Sequence, residues 1–279
     1  MQFESRILWP AVLAISLAAC GGGGGGTAVA VDDGSPAVPA SPGSGGSGSP
    51  PGPSDPDPGT PAVVQLRPYR IDPDRIFVAG ISSGGFAAVQ MHVAHSATFK
   101  GAAVYAGGVY WCAGAGGAAT ALANCGGLTL PTGQASYNST LAASNAYLDA
   151  QSALGTIDPA GNLAGQPVYL WSGTRDTTVH PRQMADLRSQ YLRYGANVRF
   201  DNTFPAAHGW ESPAAELDCG VAGSPFMVRC SADGAVYDSV KTWLTMFLGP
   251  LQPRNNGRLK GTLSAFDQSA FGASANLSL

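Results

Sequence analysis

The sequence predicts an α/β fold: a parallel sheet of about four core strands with helices on its faces. Three observations carry this reading. Short apolar runs alternate with helical patterns from Arg75 to Leu248, the signature of βαβ units. A Gly-x-Ser-x-Gly turn, Gly80-Ile81-Ser82-Ser83-Gly84, falls between one such run and one such helix. Two further chemically capable residues, Asp176 and His208, fall in loops after other strand-like runs, where the working residues of parallel sheets sit.

The elements follow in order. RIFVA, Arg75 to Ala79, is a short apolar run after the turn-rich IDPD and reads as a buried strand. Gly84 to about Ser96, with Phe86, Val89, Met91 and Val93, reads as a helix packed on the sheet. GAAVYAG, Gly101 to Gly107, is the next strand, and the Gly/Ala-rich stretch from Tyr110 to about Ala135 reads as a surface excursion. A helix is expected near Ser139 to Ala153 and a third strand at PVYLWSG, Pro167 to Gly173. Pro181 to Tyr194 reads as a helix with proline in its first turn. NVRFDNTF, Asn197 to Phe204, is a fourth strand, and Tyr237 to Leu248 a final amphipathic helix.

The first 62 residues read differently. In MQFESRILWPAVLAISLAAC, Arg6 precedes an apolar run from Ile7 to Ala19. That run is short for a bilayer span and suits a signal-peptide core. It ends in Leu17-Ala18-Ala19-Cys20, which resembles the bacterial lipobox, whose cysteine is lipidated. The expected organisation is a lipoprotein-type signal at 1–19, then lipidated Cys20 and a linker to residue 62, then a catalytic domain at 63–279. By resemblance to Gram-negative lipoproteins, Gly21 after the cysteine favours the outer over the inner membrane. The alternative is an ordinary cleaved signal and a secreted protein. The linker holds GGGGGG and SPGSGGSGSPPGPSDPDPGT, with too little apolar surface to offset its ordering entropy.

Export gives the remaining cysteines a meaning. Cys112, Cys125, Cys219 and Cys230 are an even set, which argues for two disulfides. Three pairings are open; Cys112–Cys125 with Cys219–Cys230 needs the least chain search. A metal site is the other reading of four cysteines, and no CxxC spacing supports it. No cofactor is expected. Charged residues make up 12% of the chain and the net charge is −3, so nothing points to a basic face for nucleic acid. Membrane contact is expected only through the N-terminal lipid.

Gly80 to Gly84 matches a nucleophile elbow. There the serine sits on a strained turn that needs small neighbours, and the following helix aims its N-terminus at developing negative charge. Ser82 is the candidate nucleophile and Ser83 the candidate backbone donor to the oxyanion. The bland reading is a Gly/Ser turn that lets helix and sheet approach. A serine needs a base. His208, in FPAAHGW after the fourth strand, is preferred over His180, which starts a helix, and over His92 and His95, which read as packing or surface positions. Asp176, in SGTRDTTV after the third strand, is the candidate orienting acid; its bland reading is a helix N-terminal residue. Asp201 and Asp218 rank below it. The chain order Ser82, Asp176, His208 is that of α/β-hydrolases.

These blocks, GISSGGFAAVQMHVAHSATFKGAAVYAGGVYWC, SGTRDTTVHPRQM and FPAAHGWESP, resemble the secreted poly(3-hydroxybutyrate) depolymerases of the circularly permuted α/β-hydrolase type. The resemblance runs from about Ile71 to Gly272. It implies hydrolysis of poly- or oligo-3-hydroxyalkanoate esters through an acyl-enzyme, with Ser82, Asp176 and His208 as triad. It also implies that strands usually ahead of the nucleophile lie after the histidine, with a His-Gly-Cys loop supplying a second oxyanion N–H. No His-Gly-Cys occurs before Leu279. The expectation is therefore a C-terminally shortened member, or one whose sheet is completed by a missing segment or a partner, with its activity weakened accordingly. Two other functions stay open: a non-catalytic, surface-tethered binding protein on a degenerate hydrolase half, and another acyl-transfer enzyme such as a peptidase.

Overall fold

The computed structural model describes residues 68–116, 118–126, 137–255, 257, 261 and 266. The targeting segment, Cys20, the linker and nearly all of the C-terminal tail lie outside the described residues.

The chain enters through a 3-10 turn at Pro73–Arg75, capped by the Asp72 side chain. Strand β1 then spans Val78–Ile81 and leads into helix α1, Ser83–Ala94. β1 therefore begins three residues later than expected. The IDPD stretch closes a turn that ends at Ile76, and parallel pairing starts only at Val78, opposite Ala102. Strand β2 is Ala102–Tyr105 and helix α2 is Ala118–Cys125. Helix α3 is Leu141–Leu154, strand β3 Pro167–Trp171, helix α4 Pro181–Arg193 and strand β4 Asn197–Asp201. Beyond β4 come short strands that the sequence does not announce: β5 Trp210–Glu211, β6 Leu217–Asp218, β7 Met227–Arg229, β8 Ser231–Ala232 and β9 Ala235–Val236. Helix α5 runs over Ser239–Leu248. It starts two residues after the expected Tyr237 because Asp238 caps it, accepting the N–H of Lys241 at 2.8 Å.

The main sheet has the order β1-β2-β3-β4 and is parallel throughout. The parallel α/β sheet read from the sequence is borne out. Alternation along its central strands divides the core. Val104, Val168 and Leu170 face one layer, with Val89 and Val93 of α1, Leu148 of α3, and Met184, Leu187 and Tyr191 of α4. Ala103, Tyr105, Tyr169 and Trp171 face the other, with Phe204, Val228, Trp210, Trp243 and Phe247. Both faces are covered, which is why β2 and β3 read as unbroken apolar runs.

The helices carry the matching stripes. On α1 the buried positions are Gly85, Ala88, Val89, His92 and Val93, and on α4 they are Gln183, Met184, Leu187, Gln190 and Tyr191. These are the three- and four-residue steps of a helix laid on a sheet. The two buried glutamines are held by polar partners. Gln190 accepts the N–H of Tyr110 and donates to Asn145, and Gln183 donates to the Asn124 carbonyl. Tyr110 and Cys112 are buried, so the stretch read as a surface excursion begins in the core. Its residues 127–136 lie outside the description.

Disulfides join Cys112 to Cys125 and Cys219 to Cys230, closing separations of 13 and 11 residues. Loops of that size contribute about 3 kcal/mol each on the chain-entropy account. The second bridge braces the region that follows β4.

Candidate active site

The elbow between β1 and α1 is built from backbone contacts. A Cβ on Gly80 would lie 2.1 Å from the carbonyl oxygen of Gly84, and one on Gly85 would lie 2.7 Å from that of Tyr105. Gly84 itself has open space around its Cβ direction. The glycines that crowding requires are thus Gly80 and Gly85; Gly84 supplies the carbonyl that crowds Gly80. Between them Ser82 has φ 57° and ψ −125°, a conformation that costs a non-glycine residue about 1–3 kcal/mol. Its backbone is tied at both ends: the Ser82 N–H donates to Tyr105 at 3.0 Å, and the Ser82 carbonyl accepts from Phe86 at 3.0 Å. The Ser82 side chain makes no capping bond to α1. Ser83 is exposed and opens α1, where N–H groups have no intrahelical acceptor.

Asp176 and His208 meet. Nδ1 of His208 lies 2.8 Å from Oδ2 of Asp176, and both side chains are buried. A carboxylate can only accept, so Nδ1 carries a hydrogen, and in the neutral imidazole Nε2 then has the lone pair. The other carboxylate oxygen, Oδ1, accepts the N–H groups of Thr178 and Val179 at 2.8 and 2.9 Å. Asp176 therefore does both things the sequence offered as alternatives: it organises the turn leading to α4 and it holds the imidazole. The two loops are also bonded through the backbone, with Thr174 N–H donating to Phe204 and Arg175 N–H to Ala206. A Cβ on Gly173 would lie 2.2 Å from the Ala206 carbonyl, so this contact too depends on a glycine.

Strands spaced about 4.8 Å apart would leave a residue above β4 about 14 Å from one above β1. The chain after β4 turns back from there toward β2. Trp210, two residues beyond His208, stacks on Tyr105 at the end of β2, with ring centroids 4.1 Å apart. Tyr105 is the residue whose carbonyl accepts the Ser82 N–H. The return is held from outside as well: Ala207 N–H donates to Cys219, and Trp210 N–H donates to Phe226.

Beneath this loop lies a residue that no sequence pattern singles out. Glu211 is fully buried. Its Oε2 accepts the N–H of Ser239 at 2.8 Å, and its own carbonyl accepts the Ser239 hydroxyl at 2.6 Å. The Ser239 hydroxyl also contacts Tyr105 Oη at 2.7 Å, so Glu211 and Tyr105 are joined through it. Burial pushes the carboxyl up to about 7, because a charge there would be poorly solvated.

The other candidates sit elsewhere. His92 is buried in the helix layer, with Nδ1 2.9 Å from Tyr191 Oη and Nε2 2.7 Å from Gln166 Oε1. Burial lowers it to about 4. His95 is exposed at the end of α1. His180 caps α4, accepting the Arg182 N–H at 3.1 Å. Asp201 is occupied by the hydroxyls of Tyr169 and Tyr237 and by Arg199. Asp218 is exposed on β6. Among the described residues no group of three or more His, Cys, Asp or Glu is placed to hold a metal ion.

Comparison with known proteins agrees with this architecture. The profile of the prolyl oligopeptidase family matches residues 60–231. The chain is 37% identical over 214 residues to a poly(3-hydroxybutyrate) depolymerase of Delftia acidovorans, covering 75% of this chain and 41% of the relative. It is 32% identical over 219 residues to a polyhydroxybutyrate depolymerase of Talaromyces funiculosus, covering 76% of this chain and 59% of the relative. The chain thus spans about half the length of these relatives. The crystal structure of a PHB depolymerase from Penicillium funiculosum superposes with a TM-score of 0.60 at 30% identity, covering 74% of this chain and 61% of that one. A serine-to-alanine variant of a PHB depolymerase complexed with an R3HB trimer superposes with a TM-score of 0.61, with the same identity and coverage. The chain belongs to the prolyl oligopeptidase family, has the α/β-hydrolase fold, and is a homologue of the poly(3-hydroxybutyrate) depolymerases.

Proposed function

We propose that this chain is a serine esterase that hydrolyses 3-hydroxybutyrate esters, with Ser82 as nucleophile, His208 as base and Asp176 as orienting acid. The observation that carries the reading is the buried His208–Asp176 hydrogen bond, made after strands of the same parallel sheet whose first strand leads into Ser82 on a strained turn. The relatives' names supply the substrate class.

In this reading Nε2 of His208 takes the Ser82 proton as Oγ attacks the ester carbonyl carbon. The Ser83 N–H and the N-terminus of α1 stabilise the oxyanion. As the tetrahedral intermediate collapses, the C–O bond to the alcohol breaks and its electron pair stays on the leaving oxygen, which takes the proton from Nε2. Water then repeats the sequence on the acyl-Ser82 ester and releases the acid. Asp176 keeps Nδ1–H in place and stabilises the imidazolium that forms in each half.

Purified protein should cleave short acyl esters and 3-hydroxybutyrate oligomers, and Ser82→Ala should cleave neither. Undiminished turnover by Ser82→Ala would refute the assignment. A second reading, amide cleavage, is favoured by the family profile, since the same machinery attacks amides. Activity on a peptide substrate with none on the esters would select it. The proposal extends to export, with the segment to Ala19 as signal and a lipid on Cys20 as tether; Cys20→Ser should then leave the membrane fraction.

A further inference from the structure

Phe226 stands against the triad and takes no part in it. Its ring lies edge-on to the imidazole of His208, with centroids 6.1 Å apart and planes at 73°. His208 is 5% exposed, whereas Phe226 is 44% exposed. An aromatic ring half in water beside a buried base lines the way in rather than the core.

The backbone there is also unusual. Phe226 has φ 57°, a conformation that a bulky L residue rarely adopts and that persists only where surroundings over-determine it. Its carbonyl accepts the Trp210 N–H at 2.8 Å and its own N–H donates to the Gly223 carbonyl at 2.5 Å. The loop carrying it is closed at its base by Cys219–Cys230. The Trp210–Phe226 bond ties this loop, between β6 and β7, to the chain two residues beyond His208.

The chemistry of His208 says what lies beside that ring. The imidazole that accepts the serine proton returns it to the leaving oxygen. The carbon bearing that oxygen must then sit next to the imidazole, on the alcohol side of the ester. An apolar ring adjoining the imidazole favours an alcohol whose carbinol carbon bears an alkyl group, as the secondary alcohol of a 3-hydroxyacyl ester does. We propose that Phe226 sets the leaving-group preference of this site by contacting the alkyl substituent on the carbinol carbon of the departing alcohol. This rests on the hydrolase reading above and adds to it a residue that selects between esters of one acid.

The test uses two butyrate esters, methyl and sec-butyl, which share an acyl group and differ in the alcohol. The quantity read is the ratio of kcat/KM for sec-butyl over methyl ester. Phe226→Ala should lower that ratio about tenfold, the scale of a small apolar contact in a pocket, and Phe226→Leu should recover most of it. An unchanged ratio overturns the proposal. So does an equal fall in both rates, which would mean that Phe226 only supports His208. Should Phe226→Ala fail to fold, Phe226→Asn replaces it, since asparagine tolerates positive φ. The hydrolase reading fails separately: Ser82→Ala that still cleaves either ester, or wild type that cleaves neither, removes the active site itself.

Discussion

Asp176 divides its two oxygens between His208 and its own turn: Oδ2 lies 2.8 Å from the imidazole Nδ1, while Oδ1 accepts from Thr178 and Val179. Asp176→Asn would keep an oxygen for the turn and lose the obligate acceptor for Nδ1–H. The variant is expected to fold and to lose kcat by about 10⁴, as when such an imidazole is left in the wrong tautomer. Steady-state rates on a short acyl ester, with circular dichroism as the folding control, read this. A kcat within a few-fold of wild type would take Asp176 out of the mechanism.

The glycines of the elbow should separate. Gly80→Ala places a Cβ 2.1 Å from the backbone oxygen of Gly84, which cannot swing aside as a side chain could, so a loss of at least about 1–3 kcal/mol is expected. Gly84→Ala meets nothing within 4 Å and lies in the first turn of α1, so it should be neutral or stabilise by up to about 1 kcal/mol. Urea unfolding of the two variants checks this. Equal destabilisation would contradict the elbow geometry.

Glu211 should make the fold sensitive to alkali. Its carboxyl is raised from 4.5 to about 7 in the fold by burial, so the folded state holds a proton that the unfolded chain gives up. Its contribution is full below about pH 4.5 and is lost as pH rises through about 7, for a total of about 3 kcal/mol. Glu211→Gln, which is neutral throughout, should be less stable-to-alkali-dependent: its unfolding free energy should change less between pH 5 and pH 8 than that of wild type. Parallel pH profiles would remove Glu211 as the cause.

His92 should act in the opposite sense. Held near 4 against 6.5 when free, it stays neutral in the fold, donating from Nε2 to Gln166 and accepting at Nδ1 from Tyr191 Oη. Its contribution is full above about pH 6.5 and is lost as pH falls through about 4, again for about 3 kcal/mol. His92→Leu will be less stable at every pH, because Tyr191 and Gln166 lose a partner, but its stability should vary less between pH 6.5 and pH 4. An unaltered slope would contradict this.

The layers of the fold were legible in the sequence because strongly periodic and unbroken apolar runs have one physical solution each. PVYLW and AAVY are buried on both faces, and the stripes of α1 and α4 face them. That Ser82, Asp176 and His208 each lie after a strand of the parallel sheet was legible from the apolar runs that precede them. What lay beyond reach is the region after β4. Its strands β5 to β9 are two or three residues long, too short for alternation to register. Glu211 and Phe226 owe their settings to that region, and their neighbours Ser239, Tyr105 and His208 are distant in sequence or brought close only by the returning loop. The start of β1 was misplaced because an apolar run does not reveal where its neighbour's ladder begins.

The central claim is that Ser82 is a nucleophile activated by His208. Its most direct test is labelling with a fluorophosphonate, followed by peptide mass spectrometry. One equivalent of label is expected on Ser82, with labelling slowed at least a hundredfold, roughly the scale of lost general-base assistance, in His208→Ala. Folded protein that takes up no label, or that takes it on Ser83, would contradict it.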